Sequence, residues 1–165
     1  NILPIVAQGL ADMREGVFLH RFYPDDDSLL LQILGGDGES SQSIKEITLF
    51  HVLDCIYPSD DTKWSEWRQK ITKPTFFMES LDVNFERAWF NNSTSDEEPV
   101  SFWETVYDQK VGGRGRKIFQ TCMLYVRSLD QFDEFLLVNL EEDDQGERCV
   151  SLMTGVTLTR NQISV

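Results

Sequence analysis

The stretch Ile44-Lys45-Glu46-Ile47-Thr48-Leu49-Phe50-His51-Val52-Leu53-Asp54-Cys55-Ile56-Tyr57 decides the fold class. Its β-branched and aromatic residues favour extended backbone, where they pack well on a pleated surface. After Ile47 apolar side chains stand at both parities, so both faces of the strand need cover, and a central, most buried strand is expected. Working outward gives more of the same element. Upstream, residues 17–23 and 29–34 are apolar runs joined by the turn Pro24-Asp25-Asp26-Asp27, and Gly35-Gly36-Asp37-Gly38 reverses the chain again, which makes a hairpin. Downstream, residues 85–90, 100–107, 117–127, 134–140 and 148–158 read as strands, the first two separated by the polar loop 91–99. In the last of them Val150, Leu152, Thr154, Val156 and Leu158 share one face at period two and leave a smaller, more polar face opposite.

One segment, 59–72, reads as a helix. Ser59 is placed to cap it, Asp60 and Asp61 sit at the positive end of its dipole, Lys70 and Lys73 near the other end, and Pro74 closes it. Trp64, Trp67 and Ile71 follow the i, i+3, i+7 spacing and form a stripe that packs on a sheet. The expected fold is α+β, predominantly β: antiparallel meander sheets with one main helix near 59–72. An internal correspondence adds a finer expectation. Leu19 to Tyr23, an acidic turn and Leu29 to Leu31 recur 106 positions later as Tyr125 to Leu129, an acidic turn and Phe135 to Leu137, which aligns Arg21 with Arg127. This favours two pseudo-repeated halves, a pseudo-symmetric pair of sheets, over a single closed barrel.

The chain has 165 residues, 15 cationic and 28 acidic, for a net charge of −13, and 41% of it is hydrophobic. That composition excludes disorder and sets one β-rich domain over 1–165 as the expectation, with 11 Phe, 4 Trp and 4 Tyr supplying area to bury. The first residue is Asn1 rather than Met, which reads as a fragment lacking the native N-terminus. A sequence pI near 4.4 repels phosphate backbones, so no nucleic-acid partner is expected. No run in the chain is long and apolar enough to be a membrane-spanning segment. Cys55, Cys122 and Cys149 each sit in an apolar stretch and read as buried thiols, with no zinc spacing, which points to a reducing, cytoplasmic setting.

No catalytic, cofactor-binding or metal-ligating residues emerge. His20 and His51 are the only histidines, each in a strand and neither beside a nucleophile motif. The acidic runs 25–27 and 141–147 read as solvated turns, since leucines occupy the first where calcium ligands would stand. The least ordinary segment is Lys110-Val111-Gly112-Gly113-Arg114-Gly115-Arg116-Lys117, which gathers 4 of the 15 cationic side chains in 8 residues of an acidic chain. Convergent glycine N–H groups and arginine forks suit an anion, so Lys110, Arg114, Arg116 and Lys117 are the candidate anion or partner contact, on a Gly-rich hairpin loop. Two functions follow: a non-catalytic interaction or accessory domain with a protein partner, or an enzyme or binding protein for a small anionic metabolite that uses this loop. A deep, mostly apolar pocket with convergent polar groups would favour the second.

The stretches 19–27, 44–50, 85–89, 98–107 and 135–138 resemble the YjfK-type family of uncharacterised bacterial proteins, a domain-of-unknown-function group, over nearly the whole chain. The resemblance implies a longer N-terminus and supplies no catalytic or cofactor residues. It also implies an accessory role in a membrane-stress system, since such proteins are encoded near a phage-shock-type protein, small membrane proteins and an ATP-grasp ligase.

Overall fold

The computed structural model describes residues 2–36, 44–90, 94–109 and 112–163. Its elements are β1 (Ile5–Asp12), β2 (Phe18–Pro24), β3 (Leu29–Gly35), β4 (Ile44–Ile56), α1 (Asp61–Lys70), β5 (Thr75–Met78), β6 (Val83–Arg87), β7 (Val100–Asp108), β8 (Gly115–Ser128), β9 (Asp133–Asp143) and β10 (Arg148–Thr157). All pairings are antiparallel, in the order β5-β6-β8-β7-β1-β2-β3-β4-β10-β9. A further pairing of β8 with β9, unbroken from Ile118↔Asp143 to Ser128↔Asp133, joins the ends and closes a barrel of eight strands. The expectation of two sheets is therefore corrected to one closed barrel. The 106-residue correspondence does not carry a shared environment either, because Arg21 points into the barrel while Arg127 lies on the outer wall over the Phe85 ring.

Alternation along each strand sends one set of side chains inward and the other outward. The inward rows are Ala7, Gly9 and Ala11 on β1, Leu19, Arg21 and Tyr23 on β2, and Phe102, Glu104 and Val106 on β7, with matching rows on the other strands. The β1 strand escapes the sequence pattern because its inward residues are small. Gly9 is required by a close approach: a Cβ there would stand 1.8 Å from Oε1 of Glu104.

Outside the wall, α1 and the β5–β6 hairpin cover β8, β9 and β10. Ile71, Phe76 and Phe85 bury against Tyr125, Leu136 and Val150 on that face. The Tyr125 hydroxyl donates to the carbonyls of Ile71 (3.2 Å) and Lys73 (3.1 Å) and pins the end of the helix to the barrel. The strands covered on both sides are thus β8, β9 and the middle of β10. The β4 strand, expected to be the most buried, is exposed over much of its second half: His51 and Leu53 stand on an outer wall that no element covers among the described residues, and Cys55, paired with Ser151, opens at the barrel mouth.

Helix α1 is shorter than 59–72, and its cap is Asp60, not Ser59: the Asp60 carboxylate accepts from the Lys63 N–H at 2.8 Å. Of the stripe, Ile71 is fully buried while Trp64 and Trp67 are half-buried, Trp67 stacking on Phe76 at 6.4 Å between centroids. No helix among the described residues is long and apolar enough to cross a membrane.

Candidate functional site: the polar floor of a barrel cavity

Polar residues break the inward apolar rows at mid-barrel, and the curvature of the wall brings them together from five strands. Arg21 (β2) is only 1% exposed, as is Glu104 (β7). The Arg21 guanidinium donates from Nε to Gln32 Oε1 on β3 (3.1 Å), from Nη1 to Glu104 Oε2 (3.4 Å) and from Nη2 to Asn139 Oδ1 on β9 (3.3 Å). Its plane also lies over the Phe102 ring, 5.5 Å from the centroid. Glu104 accepts from the Tyr23 hydroxyl at 2.6 Å and from Gln120 Nε2 on β8 at 2.8 Å. Asn139 Nδ2 closes the circuit by donating to Gln120 Oε1 (2.8 Å) and Glu141 Oε1 (3.0 Å).

A buried charge survives only when it is paired and hydrogen-bonded, and this network supplies both. Burial alone would lower the affinity of Arg21 for its proton, but Glu104 and the smaller contributions of Tyr23, Cys122 and Glu141 outweigh it, so Arg21 stays charged. Burial, reinforced by the Glu104 carboxylate, raises Tyr23 well above the ordinary phenol range, which keeps it a neutral donor. Burial also raises Glu141, against the opposing pull of Arg21. Among the described residues three of the five Arg21 N–H groups are used in these bonds, which leaves two for another acceptor.

The network divides the interior. On the side of the β1–β2 turn lies a cavity of about 420 Å³, with Leu19, Leu34, Trp89, Phe102 and Leu124 among its walls and Arg21 at its floor. Glu15 and Glu46 also line it, with Arg14. Such a volume lies within the range of small-molecule sites, and eight strands enclose a space that either side chains fill or one small ligand occupies.

The cationic segment is at the other end. Arg116 and Lys117 belong to β8 rather than to a loop, and their side chains take opposite faces of it. Arg116 is on the inward row of the far mouth and lowers the pKa of Glu141, while Lys117 faces outward and Arg114 sits in the exposed turn. The three do not converge on one point, and Lys110 lies outside the described residues.

The thiols also differ from their expected burial. Cys122 is enclosed beside the cavity, where burial pushes its thiol up to about 12, but Cys149 is half-buried and Cys55 is exposed.

The network has no signature in any one stretch of sequence, because Glu104 and Asn139 lie 83 and 118 residues from Arg21. A local signal does exist. In Leu19-His20-Arg21-Phe22-Tyr23 and in Phe102-Trp103-Glu104-Thr105-Val106 the charged residue shares parity with the core residues on either side, so alternation alone sends a charge inward.

No curated protein and no solved structure matches the chain. One family model does, over residues 2–164, and its description is a protein of unknown function (DUF2491). The chain therefore belongs to the DUF2491 family of proteins of unknown function.

Proposed function

We propose that this protein is a non-catalytic binding barrel for a small amphipathic molecule whose polar end is uncharged. The observation that carries the reading is the 420 Å³ cavity with apolar walls and a hydrogen-bonding arginine at its floor. Apolar walls reward an apolar body at about 25 cal/mol per Å² removed from water. The floor selects the polar end. Arg21 offers two N–H groups, but its charge is already balanced by Glu104, and Glu141, Glu46 and Glu15 near it outnumber the one further cation, Arg14. A carboxylate or phosphate would add a second anion to a neutral or acidic site, and an ammonium would meet Arg21. An alcohol, ester or amide oxygen accepts the free N–H groups at no electrostatic cost.

The test is calorimetric titration with decanol, decanoate and decylammonium. Decanol is expected to bind at one site at least about tenfold, or 1.4 kcal/mol, more tightly than either ion. Tightest binding of decanoate would restore an anionic metabolite, and no binding of any of them would remove the reading.

A second reading keeps a protein partner at the cationic turn. Arg114 and Lys117 support it, being exposed and without an ion pair among the described residues on a chain of net charge −13. An accessory role in a cytoplasmic, membrane-stress-associated bacterial system is the setting implied by the YjfK-type resemblance. A barrel that holds an amphipathic molecule would suit that setting.

A further inference from the structure

At the barrel mouth opposite the cavity, Cys55 on β4 and Cys149 on β10 bring their sulfurs to 3.6 Å. The two strands are directly paired, with Ser151 opposite Cys55, so Cys149 is the diagonal neighbour two residues along. The Ser151 hydroxyl lies 3.6 Å from the Cys55 sulfur and 3.8 Å from that of Cys149, which completes a small triangle on one face of the ladder. We propose that Cys55 and Cys149 form a thiol–disulfide exchange site that accepts oxidising equivalents from low-molecular-weight disulfides and stores them as a cross-strand bridge.

Three features support it. The sulfurs already stand 3.6 Å apart and must close by about 1.5 Å to reach the bonded distance near 2.05 Å, which for diagonal cross-strand neighbours takes side-chain rotation together with a small inward shift of the strand ends. The two thiols differ in access, and the difference assigns their roles. Cys55 is exposed and meets the incoming disulfide; Cys149 is half-buried and raised to about 12 by burial and by Cys55, so it is the poorer first nucleophile and the resolving thiol. The third thiol, Cys122, is enclosed in the barrel interior and serves as an unreactive internal reference.

The chemistry balances as two exchanges. The Cys55 thiolate, having released its proton, attacks one sulfur of R–S–S–R; the mixed disulfide forms and RS⁻ leaves to take up that proton. The Cys149 thiolate then attacks the Cys55 sulfur, the protein bridge forms and a second RSH is released. Two protein thiols are oxidised, and one small disulfide is reduced to two thiols. The bridge ties β4 to β10 at the mouth that Arg116, Glu141 and Tyr57 also line.

The folded chain is to be incubated with oxidised glutathione, acid-quenched, alkylated and mapped by peptide mass spectrometry without reduction. The wild type should lose two hydrogens and yield a linked Cys55–Cys149 peptide, with Cys122 alkylated only after denaturation. In Cys149→Ser the glutathione adduct on Cys55 should accumulate to at least about ten times its wild-type level, because the resolving thiol is gone. Cys55→Ser should acquire little adduct on Cys149. Circular dichroism establishes that both variants are folded before they are read. A wild-type chain that stops at a stable adduct on Cys55, or that links Cys122 instead, overturns the proposal.

Discussion

Replacing Glu104 with Gln keeps the shape of the side chain and an acceptor for Tyr23, but it removes the charge that balances Arg21. The pair is separated by 3.4 Å, with both side chains nearly inaccessible to solvent. At an effective dielectric near 20, unit charges at that distance attract by about 5 kcal/mol. Breaking a buried pair by removing one partner costs about 3 to 5 kcal/mol, because the remaining charge stays buried and uncompensated. Glu104→Gln should therefore lose about 3 to 5 kcal/mol in urea unfolding at neutral pH, out of a total of about 5 to 15 for an ordinary domain. The double replacement Arg21→Met with Glu104→Gln removes both charges while leaving an acceptor for Tyr23, and should cost less than the sum of Arg21→Met and Glu104→Gln measured singly, since the charge that either single variant leaves buried and unpaired is gone. A loss below about 1 kcal/mol in Glu104→Gln, or strict additivity in the double variant, would refute the reasoning that Glu104 holds the arginine in place.

Three further outcomes follow from the same geometry. Gly9→Ala sets a Cβ 1.8 Å from Glu104 Oε1 and should cost about 1 to 3 kcal/mol, read as a lower urea midpoint. Glu141 has a raised folded-state pKa, so the fold favours its protonated form; its contribution is complete below the ordinary glutamate value and is lost as pH rises through the raised one. Glu141→Gln should accordingly raise the urea midpoint at neutral pH, with the advantage over wild type shrinking as pH falls toward the ordinary glutamate value. Replacing Arg114, Arg116 and Lys117 together with Ala should leave the unfolding free energy within about 1 kcal/mol of wild type, since the three are exposed, and on the protein-partner reading should weaken capture of that partner in a salt-sensitive way.

Local physics carries the strands into view but not their closure. Alternation and turn chemistry place β2, β3, β7, β8, β9 and β10 close to their observed bounds, and the helix differs at its ends because Asp60 is a capping side chain as strong as Ser59. Which strand lies beside which is a long-range property, and nothing local marks the β8–β9 pairing as the one that closes a barrel rather than a hairpin within a separate sheet. The burial of β4 differs from its sequence pattern for a related reason: apolar residues on both faces imply cover only if an element exists to supply it, and α1 lies instead over β8, β9 and β10. The cavity was hidden because its floor is assembled from residues that look unremarkable one at a time. Gln32, Gln120 and Asn139 are common strand polars, and only their shared parity with the core shows them turning inward.

The most direct test of the binding reading is a methyl chemical-shift titration of the protein with decanol. The methyl groups of Leu19, Leu34 and Leu124, which line the cavity, should shift and saturate at one equivalent, while those of Ile71 and Leu136, in the layer between α1 and the outer wall, should not move. Leu124→Trp, which fills the cavity, should abolish the response in a chain that still shows the wild-type circular dichroism. Shifts confined to the outer wall, or an unchanged response in Leu124→Trp, would contradict the account.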